Sequence, residues 1–339
     1  MQAVILDEQR RIVLGERSTP MPRPDQVLVE IDLCGICGSD LHSPELPQVY
    51  RGGFVLGHEM SGRVCQVGAE VPGWNVGDRV ALNPNGNVCG LCEYCIAGRP
   101  NFCHQATMET ALGLQADGGL APWVVVSPRT LRRIPDGTGR LEAAWVEPAA
   151  TALRALRRAG EVAGATVLVS GGGPIGQLVC RLAADADAGR IVLVEPAAER
   201  RAFAAASRAD VALTPDEAAA QVDSLRADVV LECSGNAAAT ELGLNALRPG
   251  GVLVVVGAGT GSGLDPTTIL LKEITVHGSF TYAGEFDDAV ALLAGGRIEV
   301  ADLTTDVVPI GAALSAFESL RAARTMKVLI DPGATQVHG

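Results

Sequence analysis

Aromatic side chains are scarce in this chain. They make up 4% of its 339 residues, too few rings to line a large aromatic pocket. Basic side chains are outnumbered as well: Lys and Arg total 27 against 39 Asp and Glu, for a net charge of −12. That balance argues against nucleic acid or an anionic membrane surface as partner. An anionic cofactor stays open, because helix N-termini bind phosphate locally. No apolar run is long enough to cross a bilayer; GVLVVVG at 251–257 falls far short of the roughly 20 residues required. The opening stretch, MQAVILDEQRRIVLGERS, has no basic segment leading into an apolar one, so no export signal is expected. Neither an internal repeat nor a low-complexity tract is present. The nine cysteines are therefore expected as thiols or thiolates in a reducing cytoplasm.

Hydrophobic residues make up 47% against 19% charged, which describes a globular protein long enough for two cores. The first part is rich in Val, Gly and Pro. Residues 27–33 alternate as a half-buried strand would, and 62–67, 79–82 and 123–126 are expected as further short strands between turns. The character changes near residue 141. A helical stretch covers 141–158, and then strands and helices alternate. Strands are expected at 166–170, 191–194, 210–213, 228–233 and 251–257, with helices at 174–187, 197–207, 215–225 and 236–247 between them. Alternation of this kind predicts a parallel sheet covered on both faces. A helix at 286–294 and a strand at 327–330 follow.

Three clusters carry chemistry. Cys89, Cys92, Cys95 and Cys103 stand at C-x2-C-x2-C-x7-C. Four thiolates so spaced close a tetrahedral shell around one Zn²⁺ with no open position, as in a structural site; thiols two residues apart suit a metal better than paired bridges. Second, Gly171, Gly173 and Gly176 form G-x-G-x-x-G between a strand and a helix. In that setting Gly171 makes the tight turn, Gly173 admits a pyrophosphate and Gly176 lets helix pack on strand. Glu195 ends the next strand, where a carboxylate accepts from the adenosine ribose and repels a 2′-phosphate, so NAD is expected over NADP. Arg200 and Arg201 follow and could weaken that preference by reaching the ribose, or simply line a solvated helix face. Third, Cys34, Cys37, Ser39, Asp40 and His42 fall within nine residues, followed by Gly57-His58-Glu59 and Trp145-Val-Glu147-Pro148.

With these motifs the sequence resembles the zinc-dependent medium-chain alcohol dehydrogenases, closest in type to their polyol, threonine and butanediol dehydrogenase branch. The resemblance covers essentially the whole chain, including GSFTY at 278–282 and MKVLI at 326–330. It implies an α/β protein: a β-rich, chaperonin-10-like catalytic domain over 1–148 carrying the zinc lobe 89–103, a Rossmann doubly wound NAD-binding domain over 149–274, and a return to the catalytic domain over 275–339. It implies two zinc ions per chain, one catalytic and one structural, with NAD as cofactor. Cys37 and His58 match the first two catalytic ligands, and Glu147 stands where the alcohol dehydrogenase branch has a cysteine. Glu59 is a possible fourth ligand. Ser39 matches the hydroxyl that takes the substrate proton and His42 the outer end of that relay, while Asp40 either supports a ligand histidine or caps the next helix. Thr151, Phe280 and Lys327 match cofactor contacts, Lys327 near the pyrophosphate. The segment 43–54 is expected to border the substrate cleft, with Arg51 or Tyr50 toward a polar substrate. The implied reaction moves a hydride between a secondary alcohol of polyol, cyclitol, sugar or amino-alcohol type and NAD, in a homodimer or homotetramer that pairs sheets through 251–257 or its neighbours. An NADPH-dependent carbonyl reductase is the alternative. A zinc-binding relative without activity is disfavoured by the intact set of Cys37, Ser39, His42, His58 and Glu147.

Overall fold

The computed structural model describes residues 1–259, 261–323 and 325–333. The chain forms two compact units, Met1–Glu147 with Phe286–Gly339 and Pro148–Glu285.

The first unit is built on a seven-stranded sheet. Its order is Asp306–Pro309, Val328–Asp331, Val27–Gly35, Glu59–Val67, Arg79–Leu82 and Leu131–Arg133, with Trp123–Val126 also paired to Val27–Gly35. Only the first pair is parallel. A second sheet joins Ile12–Glu16, Gln2–Leu6 and Phe54–Val55. Val4, Leu6, Val29, Ile31, Met60, Leu82, Phe317 and Ile330 fill the core. Aliphatic side chains on alternate positions of facing strands supply this burial, at about 25 cal/mol per Å² of apolar surface removed from water. Register then sets chemistry. Gly35 pairs with Glu59 on one side and Leu329 on the other, so Cys37, Glu59 and Lys327 converge at the ends of three adjacent strands. A side chain at Gly35 would strike Glu59 and the Lys327 stem; only hydrogen fits there.

The second unit is a six-stranded parallel sheet. In space its strands run Val211–Leu213, Arg190–Val194, Thr166–Ser170, Ala227–Glu232, Leu247–Val255 and Thr275–Gly278. Numbered along the chain this is the order 3-2-1-4-5-6, the dinucleotide-binding arrangement. The order reverses between Thr166–Ser170 and Ala227–Glu232, and ligands of such sheets lie at the carboxyl ends of the strands at that reversal. Leu168, Val192, Val194, Val230 and Leu253 form its core.

Two details differ from expectation, and one falls within it. The strand Thr275–Gly278 pairs in parallel with Leu247–Val255, so the second unit runs on to Glu285 and the return to the first unit comes after 275. The strand Leu247–Val255 has a strand on each side, and its neighbour Thr275–Gly278 forms one edge of the sheet, Val211–Leu213 the other. The helix expected over 197–207 is regular only at Ala198–Arg201 and continues as turns, with Arg208 in the left-handed region at φ 60°.

Candidate metal and nucleotide sites

The sulfur cluster fits a closed zinc site. The donor atoms of Cys89, Cys92, Cys95 and Cys103 lie within 4.8 Å of one another. Cys89 Sγ and Cys95 Sγ are 3.9 Å apart, against the roughly 3.8 Å edge of a tetrahedron with Zn–S bonds of about 2.3 Å. Backbone amides add to the fit. Leu91 N and Cys92 N donate to Cys89 Sγ at 3.4 and 3.3 Å, and Cys89 N donates to Cys103 Sγ at 3.3 Å. The Leu91 and Cys92 amides favour the Cys89 thiolate and lower its pKa to about 6. Cys95 is pushed up to about 12, by desolvation first and neighbouring thiols after it. All nine cysteines are free.

The second cluster contains one sulfur, one imidazole and one carboxylate. Donor atoms of Cys37, His58 and Glu59 lie within 4.8 Å of one another, a set that suits zinc with an open position. The path that delivers them is tight. Gly57 has φ +94°, and a Cβ there would stand 2.6 Å from both Cys34 Sγ and Leu120 Cγ, so only glycine turns the chain into His58. Cys37 N donates to Asp40 Oδ2 at 3.0 Å, and Asp40 Oδ1 lies 3.4 Å from His58 Nδ1. That buried nitrogen has no full hydrogen bond, as suits a ring whose other nitrogen binds a metal while a carboxylate orients it. Desolvation works against the charged imidazole, but Asp40 and Cys37 outweigh it and raise the His58 pKa well above the usual histidine range.

The expected residues fall into place unevenly. Glu59 shares the donor cluster with Cys37 and His58. Glu147 lies in the first turn of the helix Val146–Ala159, close enough for its charge to act on Lys327. Lys327, expected near a pyrophosphate, is instead buried in the first unit. Its Nζ donates to the Glu59 carboxylate and to Ile36 O, and sits 5.6 Å over the Trp145 ring. The pairing register of Val328–Asp331 with Val27–Gly35 puts it there. Desolvation opposes its charge, yet Glu59 and Cys37 raise its pKa. Ser39 donates to Cys37 Sγ at 3.2 Å and accepts from Tyr50 at 2.8 Å. His42 is 72% exposed with Nδ1 3.9 Å from Glu45; its backbone amide donates to Ser39 O at 3.1 Å, and no hydrogen bond joins its ring to the Ser39 hydroxyl among the described residues. Asp40 serves both the His58 ring and the turn into the short helix Gly38–Leu41. Tyr50 is wholly buried, while the Arg51 guanidinium lies 5.1 Å over the Phe54 ring. Cys34 is fully buried with a raised pKa, from desolvation first, then Asp40 and Glu59, which makes it a core thiol.

In the second unit the glycine turn has the form its spacing predicts. Gly171 has φ +97°, and a Cβ on Gly176 would lie 1.8 Å from Gly171 O, so the helix Pro174–Asp185 packs directly on the turn. Gln177 Nε2 donates to Gly172 O at 2.9 Å and Arg200 O at 3.1 Å. Glu195 is buried, accepting from Gly172 N at 2.7 Å and Ala197 N at 2.8 Å. Its carboxylate therefore braces the turn, and Arg201 donates to the Glu195 carbonyl at 2.8 Å. Glu232, ending the strand across the reversal, accepts from Ser234 N at 2.8 Å and Gly235 N at 3.0 Å; no motif had singled it out. Thr151 lies on the helix Val146–Ala159. Phe280 is exposed beyond the edge strand, beside Thr281 at φ 46°, a rare conformation for a β-branched residue.

Comparison with known proteins agrees with this architecture. Residues 23–136 match the alcohol dehydrogenase GroES-like domain, and 174–295 match the zinc-binding dehydrogenase domain. The chain is 36% identical to "Probable D-xylulose reductase A" of Aspergillus fumigatus, over 96% of this chain and 95% of that protein. Among solved structures it resembles a zinc-binding dehydrogenase of Sinorhizobium meliloti bound to NADP, with TM-score 0.90, 31% identity, and coverage of 98% and 99% of the two chains. It also resembles L-idonate 5-dehydrogenase of Escherichia coli, with TM-score 0.87, 29% identity and 97% of each chain covered. The chain belongs to the zinc-dependent medium-chain dehydrogenase family, in its polyol dehydrogenase-like branch, and is an oxidoreductase.

Proposed function

We propose that this enzyme oxidises an in-chain secondary alcohol of a polyol or sugar-like substrate, and reduces the matching ketone, with NAD as hydride carrier. The observation that carries this reading is the convergence of Cys37, His58 and Glu59 beside the Ser39 hydroxyl. Likeness to proteins named D-xylulose reductase and L-idonate 5-dehydrogenase supports the substrate class. Cys37, His58 and Glu59 would hold the catalytic zinc, with Glu147, near enough to act on Lys327, as a further candidate ligand; the four-cysteine lobe would hold the structural one. Zinc bound there supplies a Lewis acid that lowers the pKa of an alcohol or polarises a carbonyl.

The remaining work belongs to the chain itself. Ser39 accepts the substrate's hydroxyl proton, and His42, exposed at the helix end, passes it to solvent. Asp40 keeps the His58 ring oriented. The turn at Gly171, Gly173 and Gly176 presents the N-terminus of the helix Pro174–Asp185 to a pyrophosphate. Thr151 and Phe280 complete the cofactor site.

A second reading, NADP as cofactor, is favoured by two observations. The Glu195 carboxylate is engaged by backbone amides, and an Arg200 guanidinium nitrogen lies 4.0 Å from where a Gly173 Cβ would stand. Measuring kcat/KM for NAD⁺ and NADP⁺ separates the two, and Glu195→Ala should shift the ratio toward NADP⁺. A panel of primary, simple secondary and polyhydroxylated alcohols tests the substrate class. Polyols should lead, and preference for primary alcohols would overturn the reading.

The enzyme works in a reducing compartment, the cytoplasm, because both clusters need thiolates. No helix among the described residues is long and apolar enough to cross a membrane. The unpaired edge Thr275–Gly278 supports homodimer formation by strand pairing between copies. Light scattering of native protein and of Val276→Pro reports on this, with a monomeric native protein as the contrary result.

A further inference from the structure

The Tyr50 phenol has no part in the chemistry above, yet it is wholly buried and its one oxygen reaches two functional groups. It lies 2.8 Å from Ser39 Oγ and 3.2 Å from Asp40 Oδ1. Ser39 in turn donates to Cys37 Sγ at 3.2 Å, and Asp40 faces His58 Nδ1 at 3.4 Å. One hydroxyl thus touches the immediate neighbours of two clustered donors. Desolvation, followed by Asp40 and Cys37, raises its pKa well above the usual tyrosine range, so the phenol keeps its proton.

The backbone around the ring is fastened on both sides. Arg10 donates through Nε to Pro44 O at 2.7 Å and through Nη1 to Tyr50 O at 3.1 Å, and its other nitrogen reaches Ser43 O. Gln115 donates to Val49 O at 2.7 Å and Arg51 N to Leu114 O at 2.8 Å. The ring is held facing Ser39 and Asp40.

We propose that Tyr50 is a positioning residue whose hydroxyl directs the Ser39 hydroxyl and holds Asp40 against the His58 ring. The proposal rests on the dehydrogenase reading above. A phenol offers one proton and accepts through its lone pairs. Donating to Ser39, it leaves the Ser39 proton directed at Cys37. Donating to Asp40 and accepting from Ser39, it leaves the Ser39 lone pairs free for an incoming proton. Without the oxygen, Ser39 keeps only its contact with Cys37, and Asp40 keeps the Cys37 amide on Oδ2 but loses the phenol on Oδ1, a loss that costs more in a dry site than in water.

Tyr50→Phe removes that oxygen and keeps the ring. In the zinc-loaded enzyme kcat should fall about tenfold with KM within about twofold, the pattern of a lost interaction made in the transition state. Zinc release to a colorimetric chelator should be several-fold faster. Ser39→Ala combined with Tyr50→Phe should lose less than the product of the two single losses, because part of the Tyr50 effect runs through Ser39. Unchanged zinc release overturns the proposal whatever happens to turnover. Losses that multiply fully in the double variant overturn it too, since no part of the Tyr50 effect would then run through Ser39. If the native enzyme oxidises no alcohol with either nucleotide, the dehydrogenase reading falls. Zinc release from Tyr50→Phe still decides the hold on Asp40 in that case: faster release supports it and an unchanged rate overturns it.

Discussion

Lys327 is one of two lysines in the chain, and it is buried against a carboxylate that also stands in metal range. Glu59 therefore has two cationic partners to choose between. Removing one member of a buried ion pair costs about 3–5 kcal/mol when the other is left uncompensated. Lys327→Met should lower the melting temperature of zinc-free protein strongly and of zinc-loaded protein less, because the metal then neutralises Glu59. Scanning calorimetry of both forms checks this, and equal losses would show that Glu59 does not answer to zinc. At this scale the sequence disclosed donor types but not donor partners. His58 and Glu59 are neighbours after Gly57, and Cys37 stands in the donor-rich segment before them, so all three were legible as candidates. Their convergence was not, because it depends on which strand end faces which. Tyr50 was legible only as a residue near a cleft; nothing in the string of letters places a phenol thirteen positions after Cys37 against Ser39.

Among the elements, the parallel sheet is fastened at its amino ends by one side chain. Asp228 accepts from Thr166 N at 2.7 Å and from Arg248 Nε at 2.5 Å, linking three neighbouring strands. The Thr166 amide first, then Arg248, lowers its pKa against the opposing effect of burial. A carboxyl whose folded pKa is depressed stabilises the fold above its unfolded value, and that stabilisation is lost as pH falls through the folded one. Asp228→Asn should therefore cost about 1 kcal/mol at neutral pH, allowing for partial exposure, and progressively less below about pH 4, where the unfolded carboxyl takes up its proton first and the native one only at lower pH. Urea melts at neutral pH and near pH 2 measure the difference; a constant cost would mean that the charge is not involved. The strands themselves were readable from apolar runs between Gly and Pro. The edge strand Thr275–Gly278 was not. Its four residues, TVHG, are too few to show an alternation, and it is a strand because Leu247–Val255 offers it a ladder.

For the whole molecule, two donor clusters of different chemistry should behave differently toward chelation. Native protein should carry two zinc ions per chain, one for each cluster. A chelator should strip the Cys37–His58–Glu59 site first, abolishing turnover while far-UV circular dichroism stays unchanged. Loss from the four-thiolate lobe should come later and take folded structure with it, since structural zinc contributes folding free energy. His58→Ala should reproduce the first step and Cys95→Ser the second, as read by elemental analysis and thermal melts. One zinc per chain in active native protein would overturn the assignment of roles.

What the amino-acid order determined alone was local: the four-thiol spacing, the glycine turn between strand and helix, the α/β alternation, and the donor-rich segment from Cys34 to His42. Each is a short-range pattern whose chemistry survives without knowledge of the rest. Tertiary structure decided that Glu59 clusters with Cys37 and His58, where Lys327 puts its charge, that the Glu195 carboxylate is engaged by the turn, and that Tyr50 ties Ser39 to Asp40. These depend on strand register, where a shift of one residue exchanges the buried face for the exposed one, and register is set by the packing of the complete core.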